Sequence, residues 1–361
     1  MRMKVIVVAG ARPNFMKVAP LLRVFGAREG VETVFVHTGQ HYDAKMSDDF
    51  LRDLGMPDPD VHLGAGGGSH AEQTAKVLVA FEKVCLEQRP DWVVVVGDVN
   101  STVACTLAAK KLGIRVAHVE AGLRSFDMGM PEEINRLCTD AIADLLLTTE
   151  KGAGENLRRE GVAEGRVVFA GNTMIDSLAS NLEKAKGKEL PAGVEAGQYG
   201  VVTLHRPSNV DQAETLRPLL QGVARVAERT KVVFPMHPRT RKNVEAFGLG
   251  GLLERVTVTE PMGYLEFVGL VARAQFVLTD SGGIQEETTY LGVPCLTLRH
   301  NTERPVTCEE GTNVLVGNDL GLMERLLAEA VEGRWKAAGV PEKWDGRAAE
   351  RIVEAICGSC S

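Results

Sequence analysis

Short apolar runs built mainly from Val, Ile and Leu, each closed by a polar or Gly-containing turn and followed by a helix-like stretch, recur along the chain. In the first half they are Val5–Val8, Thr33–His37, Trp92–Val96, Val116–Val119, Leu145–Thr148 and Val167–Ala170. In the second they are Val201–Leu204, Val232–Met236, Val256–Thr259, Phe276–Thr279, Pro294–Leu298 and Val314–Val316. Near-continuous apolar strands are buried on both faces, and strands alternating with helices are joined by crossovers, so the pattern predicts parallel sheets covered by helices. At about 150 residues per domain, 361 residues make two such units. The polar, punctuated stretch around Gly187-Lys188-Glu189-Leu190-Pro191 falls between the two strand sets. The expected architecture is α/β, with two Rossmann-like domains whose parallel sheets face a central cleft. The first spans 1–172 and is completed by a C-terminal helix at 346–361; the second spans 173–345. In open parallel sheets, ligands gather beyond the carboxyl ends of the strands.

Charge and composition remove several functional classes. A net charge of -7 argues against a nucleic-acid partner, because such binding needs clustered Lys and Arg to displace counterions. No apolar run approaches the roughly 18 residues of a membrane span, and the chain enters its first strand without the apolar core of a signal peptide, so no membrane partner and a cytoplasmic location are expected. Seven cysteines, an odd number, fit free thiols in a reducing compartment better than a disulfide framework. The one close pair, Cys357-Gly358-Ser359-Cys360, lies at the chain end without two further ligands, so it reads as inert and no metal site is expected.

Two strand-to-helix turns have the makings of anion sites. Gly10-Ala11-Arg12-Pro13-Asn14-Phe15-Met16-Lys17 places a flexible Gly and two cations, Arg12 and Lys17, at a helix start, where free N–H groups and the helix dipole favour an anion. Solvated Arg and Lys on a first helix are the plain alternative. The turn lacks the Gly-x-Gly-x-x-Gly fingerprint, so nothing there asks for NAD, and no cofactor is expected. The second turn, Thr279-Asp280-Ser281-Gly282-Gly283-Ile284-Gln285-Glu286-Glu287, is stronger. Its two glycines let a phosphate reach bare backbone N–H groups, and Ile284 stands where a capping box would place Glu or Gln. Gly64-Ala65-Gly66-Gly67-Gly68-Ser69 has no strand leading into it and no Lys-Ser or Lys-Thr after it, so it reads as a flexible loop. Pro20 sits inside the first helix, where it removes a backbone hydrogen bond.

Three acids follow strand ends or open a helix: Asp98 after Val93–Gly97, Glu120 after Ala117–Val119, and Glu132 after Pro131. For Glu132 and Glu133 a favourable interaction with the helix dipole is a sufficient explanation; for Asp98 and Glu120 it is not. Carboxylates grouped at a cleft are what removal and return of a proton require. His205-Arg206 would face the same cleft from the second domain, and His237 in Met236-His237-Pro238-Arg239 is a less informative parallel.

In combination, His37-Thr38-Gly39-Gln40-His41, Gly97-Asp98-Val99-Asn100-Ser101-Thr102, His118-Val119-Glu120-Ala121-Gly122-Leu123-Arg124, Pro131-Glu132-Glu133-Ile134-Asn135-Arg136 and Asp280–Glu287 resemble the non-hydrolysing UDP-N-acetylglucosamine 2-epimerases. The resemblance covers nearly the whole chain and implies the GT-B type of two-domain architecture and a homodimer. It implies that Ser281, Gly282 and Gly283 hold the diphosphate of a UDP-sugar, helped by Arg12, His205 and Arg304 with Lys17 nearby. Glu287 would bind the ribose hydroxyls, Phe267 would pack against uracil, and Asp98, Glu120 and Glu132 would be the acid and base groups at the sugar. His205 is grouped with the three acids as a catalytic candidate. The implied chemistry is elimination of UDP to a 2-acetamidoglucal and its re-addition after the proton returns to the opposite face.

The chain departs from the family pattern in places. Pro207-Ser208-Asn209 replaces the usual Arg-Glu-Asn; Tyr42-Asp43 follows His41 instead of Arg-Glu; and Glu72 stands where substrate-regulated members carry Arg, so that type of substrate activation is expected to be absent or altered. Ser125–Met130 resembles relatives acting on a UDP-diacetamido uronic acid, whereas Thr302-Glu303-Arg304-Pro305 favours the plain N-acetylglucosamine nucleotide. A glycosyltransferase would need an acceptor surface, and a hydrolysing epimerase would need water to capture the intermediate. An inactive sugar-nucleotide sensor would have no use for the three acids.

Overall fold

The computed structural model describes residues 2–39 and 51–359, without the side chains of Arg12 and Pro13. The chain divides into two compact units, Met1–Ser180 with Glu342–Ser361, and Asn181–Pro341.

The first unit is built on strands β1 (Met3–Ala9), β2 (Val31–His37), β3 (Val61–His62), β4 (Trp92–Val96), β5 (Arg115–Val119), β6 (Leu145–Thr148) and β7 (Val167–Phe169). They form one parallel sheet in the order β3-β2-β1-β4-β5-β6-β7. Its middle is apolar throughout: Val5, Ile6, Val7, Val93, Val94 and Val95 are fully buried, as a sheet covered on both faces requires. Among its helices, α1 (Arg12–Gly26) follows β1, α2 (His70–Gln88) precedes β4, α3 (Asn100–Lys111) joins β4 to β5, α4 (Pro131–Ile142) precedes β6, and α5 (Thr173–Lys186) leaves β7. The strand order reverses between β1 and β4, so the loops after these two strands flank the switch point where α/β sheets bind ligands.

The second unit repeats the plan with β8 (Tyr199–Thr203), β9 (Lys231–Pro235), β10 (Val256–Thr259), β11 (Phe276–Thr279), β12 (Cys295–Thr297) and β13 (Asn313–Leu315). The order is β10-β9-β8-β11-β12-β13, again parallel. Here the reversal lies between β8 and β11, the strands that lead to His205 and to Ser281. Helices α6 (Tyr264–Val271) and α7 (Gly282–Leu291) flank β11. The chain then returns to the first unit through α8 (Ala348–Gly358). Its start is held there by the buried Asp176 of α5, whose carboxylate accepts the N–H groups of Ala348 and Ala349. No helix of the described residues is long and apolar enough to cross a membrane.

One local expectation changes, and the Pro20 position finds its account. β3, only two residues long and so without readable periodicity, does precede the Gly64–Ser69 segment. That segment ends in a capping box: Ser69 starts α2, Glu72 N–H donates to its hydroxyl, and Ser69 N–H donates to Glu72. Pro20 leaves α1 unbroken. The carbonyl that its missing N–H would have met, on Met16, accepts the Ser177 hydroxyl from α5.

Candidate active site

In the first unit the functional side chains meet beyond β1, β4 and β5. β4 and β5 pair through Val96 and Val119, so Asp98 and Glu120 emerge from neighbouring strand ends. Gly97 turns the chain with φ +66, and a Cβ there would come within 2.9 Å of the Lys17 ammonium. Gly10, read from sequence as a source of flexibility, has a different function. A Cβ there would lie 2.5 Å from the Ser101 hydroxyl, so its small size lets α3 approach β1, and Ser101 completes the contact with a 2.7 Å bond to Thr38.

Asp98 and Glu120 each meet a cation. Lys17, from α1, pairs with Glu120 at 2.5 Å, both nearly buried. Glu120 holds φ +74, a region that costs a non-Gly residue of order 1 kcal/mol, and its N–H donates to the Leu147 carbonyl. Asp98 accepts from Arg136 Nη2 at 2.7 Å and Nε at 3.1 Å, while Asn135 donates to the Asp98 carbonyl at 2.9 Å. Arg136 also reaches Glu133 at 2.6 Å. Burial would raise the Glu133 carboxyl, but the Ser125 and Phe126 N–H groups and Arg136 outweigh it and hold it below its ordinary range. Glu132, half-buried, opens α4 beside them.

A buried network ties the two strand ends together. His118 bonds the Asp140 carboxylate through Nδ1 at 2.6 Å and the Gly97 carbonyl through Nε2 at 2.8 Å. Asp140 also accepts the Gly122 N–H at 3.0 Å and meets Arg124 at 2.8 Å. Burial favours the neutral Asp140 acid, but His118 and Arg124 together keep it below the usual carboxylate range. Asp140 thus braces the turns that carry both Asp98 and Glu120.

In the second unit, α7 starts at Ser281 without a side-chain cap, leaving its first-turn N–H groups without a partner from the Ser281 side chain. Asp280, fully buried, accepts the backbone N–H groups of His205 and Arg206, and its carboxylate lies 2.8 Å from His205 Nδ1. Burial works against its charge, but the His205 contacts and these N–H groups still lower it below its ordinary value. The half-exposed His205 is thereby oriented beside the helix start. Arg304 pairs with Glu286 at 2.8 Å, and Arg299 with Glu303 at 2.7 Å. A Cβ on Gly282 would stand 3.4 Å from Arg304 and 3.8 Å from Arg299, so both guanidinium groups border the Ser281–Gly283 turn. Burial would raise Glu303, but Arg299 and Arg304 bring it down to about 2. Glu287 is pushed up to about 8, by burial first and by the neighbouring Glu286 second. Phe267, on α6, is partly buried against the apolar cluster of Tyr199, Val201 and Leu270.

Of the residues singled out in the sequence, Lys17, Asp98, Glu120 and Glu132 thus fall around the end of the first sheet, and His205, Ser281, Gly282, Gly283, Glu287 and Arg304 around the end of the second. The side chain of Arg12 and the residues His41, Tyr42 and Asp43 lie outside the described residues. Sequence reasoning passed over Arg136, Asp140, His118 and Arg299 as functional groups. Arg136 and His118 stand inside motifs quoted for their acids, but their partners are 38 and 22 residues distant along the chain. Glu72, which stands where substrate-regulated members carry Arg, is engaged in the α2 capping box.

Two parallel α/β units, one with cation-paired carboxylates beyond its strands and one with an uncapped, arginine-bordered helix start, define a two-domain Rossmann-like protein built for an anionic ligand. The chain belongs to the UDP-N-acetylglucosamine 2-epimerase family, whose model matches residues 24–357. It is 41% identical to the UDP-N-acetylglucosamine 2-epimerase of Methanocaldococcus jannaschii over 98% of this chain and 99% of that one. It is 43% identical to the UDP-2,3-diacetamido-2,3-dideoxy-D-glucuronate 2-epimerase of Pseudomonas aeruginosa over 87% of this chain and 88% of that one. The structure of the M. jannaschii enzyme in complex with UDP-GlcNAc and UDP superimposes with a TM-score of 0.88 at 40% identity, covering 99% of this chain and 100% of that one.

Proposed function

We propose that this protein interconverts UDP-N-acetylglucosamine and its C2 epimer without releasing the sugar. The observation that carries the reading is the pair of acids at adjacent strand ends, Asp98 on Arg136 and Glu120 on Lys17, in a chain of this family. Ser281, Gly282 and Gly283 take the diphosphate at the α7 start, with Arg304, His205 and Arg12 supplying charge and hydrogen bonds. Glu287 takes the ribose hydroxyls and Phe267 the uracil ring.

The C2 proton is only weakly acidic, so its removal is coupled to loss of the leaving group. The C2–H bond breaks as a carboxylate takes the proton, C1 and C2 become doubly bonded, and the C1–O bond releases UDP with its electron pair. Positive charge at the diphosphate stabilises that departure. Delivery of a proton to the opposite face of C2 and return of UDP to C1 give the manno epimer. Asp98, Glu120 and Glu132 are the proton-transfer set. Incubation with UDP-N-acetylglucosamine in deuterated water tests this: the C2 epimer should appear carrying deuterium at C2 by proton NMR. Free N-acetylmannosamine with UDP would instead mean hydrolysis, and untouched nucleotide despite UDP binding would refute the substrate.

The 43% identity to the P. aeruginosa enzyme supports a second reading, the same chemistry on a UDP-diacetamido uronic acid. Parallel assays with both nucleotides decide by the ratio of kcat/KM. We infer a cytoplasmic homodimer; the buried thiols of Cys85, Cys105 and Cys295, all unpaired, suit a reducing compartment.

A further inference from the structure

Helix α4 turns its charged side inward. Its buried residues are Glu133, Arg136, Thr139 and Asp140, whereas Ile134 and Ile142 are 45% and 36% exposed. A surface helix ordinarily does the reverse. Taking charge into the interior is unfavourable unless each group is paired, so this face is kept for what it holds. Arg136 holds the Asp98 carboxylate directly. Asp140, one turn further along, acts on the chain around Glu120. One carboxylate oxygen accepts from His118 Nδ1 at 2.6 Å, two residues before Glu120, and the other accepts the Gly122 N–H at 3.0 Å, two residues after it. Between them Glu120 stands at φ +74, a conformation that a residue with a side chain keeps only where its surroundings fix it. Gly122 follows at φ +78, with no room for a Cβ against the Ala153 carbonyl, so the turn has no slack on that side.

The same carboxylate reaches the other acid through one imidazole. The Gly97 carbonyl can only accept, so His118 Nε2 donates to it at 2.8 Å, while Nδ1 donates to the ionised Asp140. Gly97 is the residue before Asp98. Asp140 therefore fixes the backbone on both sides of Glu120 and the backbone that leads into Asp98. We propose that Asp140 is a positioning residue for the reaction: through His118 and the Gly122 N–H it holds Glu120 in its left-handed conformation and sets the spacing between Glu120 and Asp98. The proposal rests on the epimerase reading above, in which these acids move protons at C2, and it places the effect on turnover and not on nucleotide binding. Removing a proton from one face of C2 and returning one to the other tolerates little displacement of either acid.

Two substitutions at this position separate its hydrogen bonds from its charge. Asp140→Asn can keep every contact: its amide nitrogen donates to His118 Nδ1, the imidazole then carries a single proton on Nε2 toward Gly97, and its amide oxygen still accepts from Gly122 and Arg124. Asp140→Ala leaves His118 Nδ1 and the Gly122 N–H without a partner. On the full chain, Asp140→Ala should retain the wild-type circular dichroism and UDP affinity and lose about 10-fold or more in kcat, with little change in KM for the UDP-sugar. Asp140→Asn should restore kcat to within about 3-fold of wild type. His118→Leu removes the imidazole and leaves Asp140 on Gly122 and Arg124; it should slow kcat by about 10-fold as well, and it decides the matter if the alanine variant does not fold. Full kcat in folded Asp140→Ala or in His118→Leu, or an Asp140→Asn variant as slow as the alanine one, would overturn the proposal. So would a loss of UDP affinity in step with kcat, which would reduce Asp140 to upkeep of the fold. A wild type that turns over neither UDP-sugar refutes the epimerase reading and this proposal with it, whereas an active wild type with an unslowed alanine variant refutes this proposal alone.

Discussion

The two units share one architecture and use it in opposite ways. At the end of the first sheet, acids are paired with cations: Lys17 with Glu120, Arg136 with Asp98 and Glu133, and Arg124 and His118 with Asp140. At the end of the second sheet the main feature is a helix start without a side-chain cap, bordered by Arg299 and Arg304, with His205 oriented by Asp280. The first arrangement sets carboxylates in fixed positions before any sugar arrives, which suits proton transfer. The second sets a helix start without a side-chain cap beside two guanidinium groups, which suits binding of an anion. On the proposed reading the same switch-point topology supports chemistry in one unit and capture in the other, and side chains make the difference.

That contrast predicts different consequences of mutation in the two units. Asp98→Asn keeps the shape at the first switch point and removes a carboxylate. Turnover should fall about 100-fold or more while UDP affinity, which the proposed site draws mainly from the second unit, stays unchanged in calorimetry. Near-normal turnover would take Asp98 out of the proton-transfer set and erase the contrast.

Glu287 gives the second unit a pH signature. Its pKa is raised from 4.5 to about 8, so the folded state binds its proton more tightly than the unfolded chain does. The resulting stability is fully present below pH 4.5 and is lost as pH rises through about 8. Denaturant titrations of wild type and Glu287→Gln should therefore diverge across that window, the variant lacking this decline. Parallel curves would show Glu287 to be ionised throughout.

Lys17→Met removes the Lys17 contact from the buried Glu120 carboxylate of the first unit. Unfolding free energy should drop by about 3 kcal/mol or more, measured in urea. A loss under 1 kcal/mol would mean that water reaches Glu120 and that the pair is not the closed contact described. Arg304→Gln in the second unit should weaken UDP about 10-fold by removing one charge-assisted contact. An unchanged UDP affinity would assign Arg304 solely to Glu286 and Glu303.

Much of this was legible in the chain itself, for reasons visible in particular residues. Val93–Val96 reads as a strand buried on both faces, and Phe276–Thr279 followed by Ser281-Gly282-Gly283 reads as a strand feeding a helix start rather than a plain tight turn. Side-chain period and glycine placement are local properties, read within ten residues. The Ser69–Glu72 capping box is equally local, a Ser followed three residues later by Glu at the start of α2. The asymmetry of α4 was also written in its sequence, since Ile134, Cys138 and Ile142 share one stripe and Arg136 and Asp140 another. Amphipathicity alone says that a helix has two faces, and the usual rule assigns the apolar one to the core.

Only the tertiary structure decided which face that was. It set Arg136 on Asp98, Lys17 on Glu120 and Ser177 on the carbonyl left over by Pro20, pairings that span from 38 to 161 residues of chain. It also revealed Gly10 as room for Ser101 and Asp140 as the brace of two turns. Sequence patterns record what each segment buries and how it turns, because those energies are local. Which cation meets which acid depends on strand order, and strand order is settled when the crossovers close the sheet.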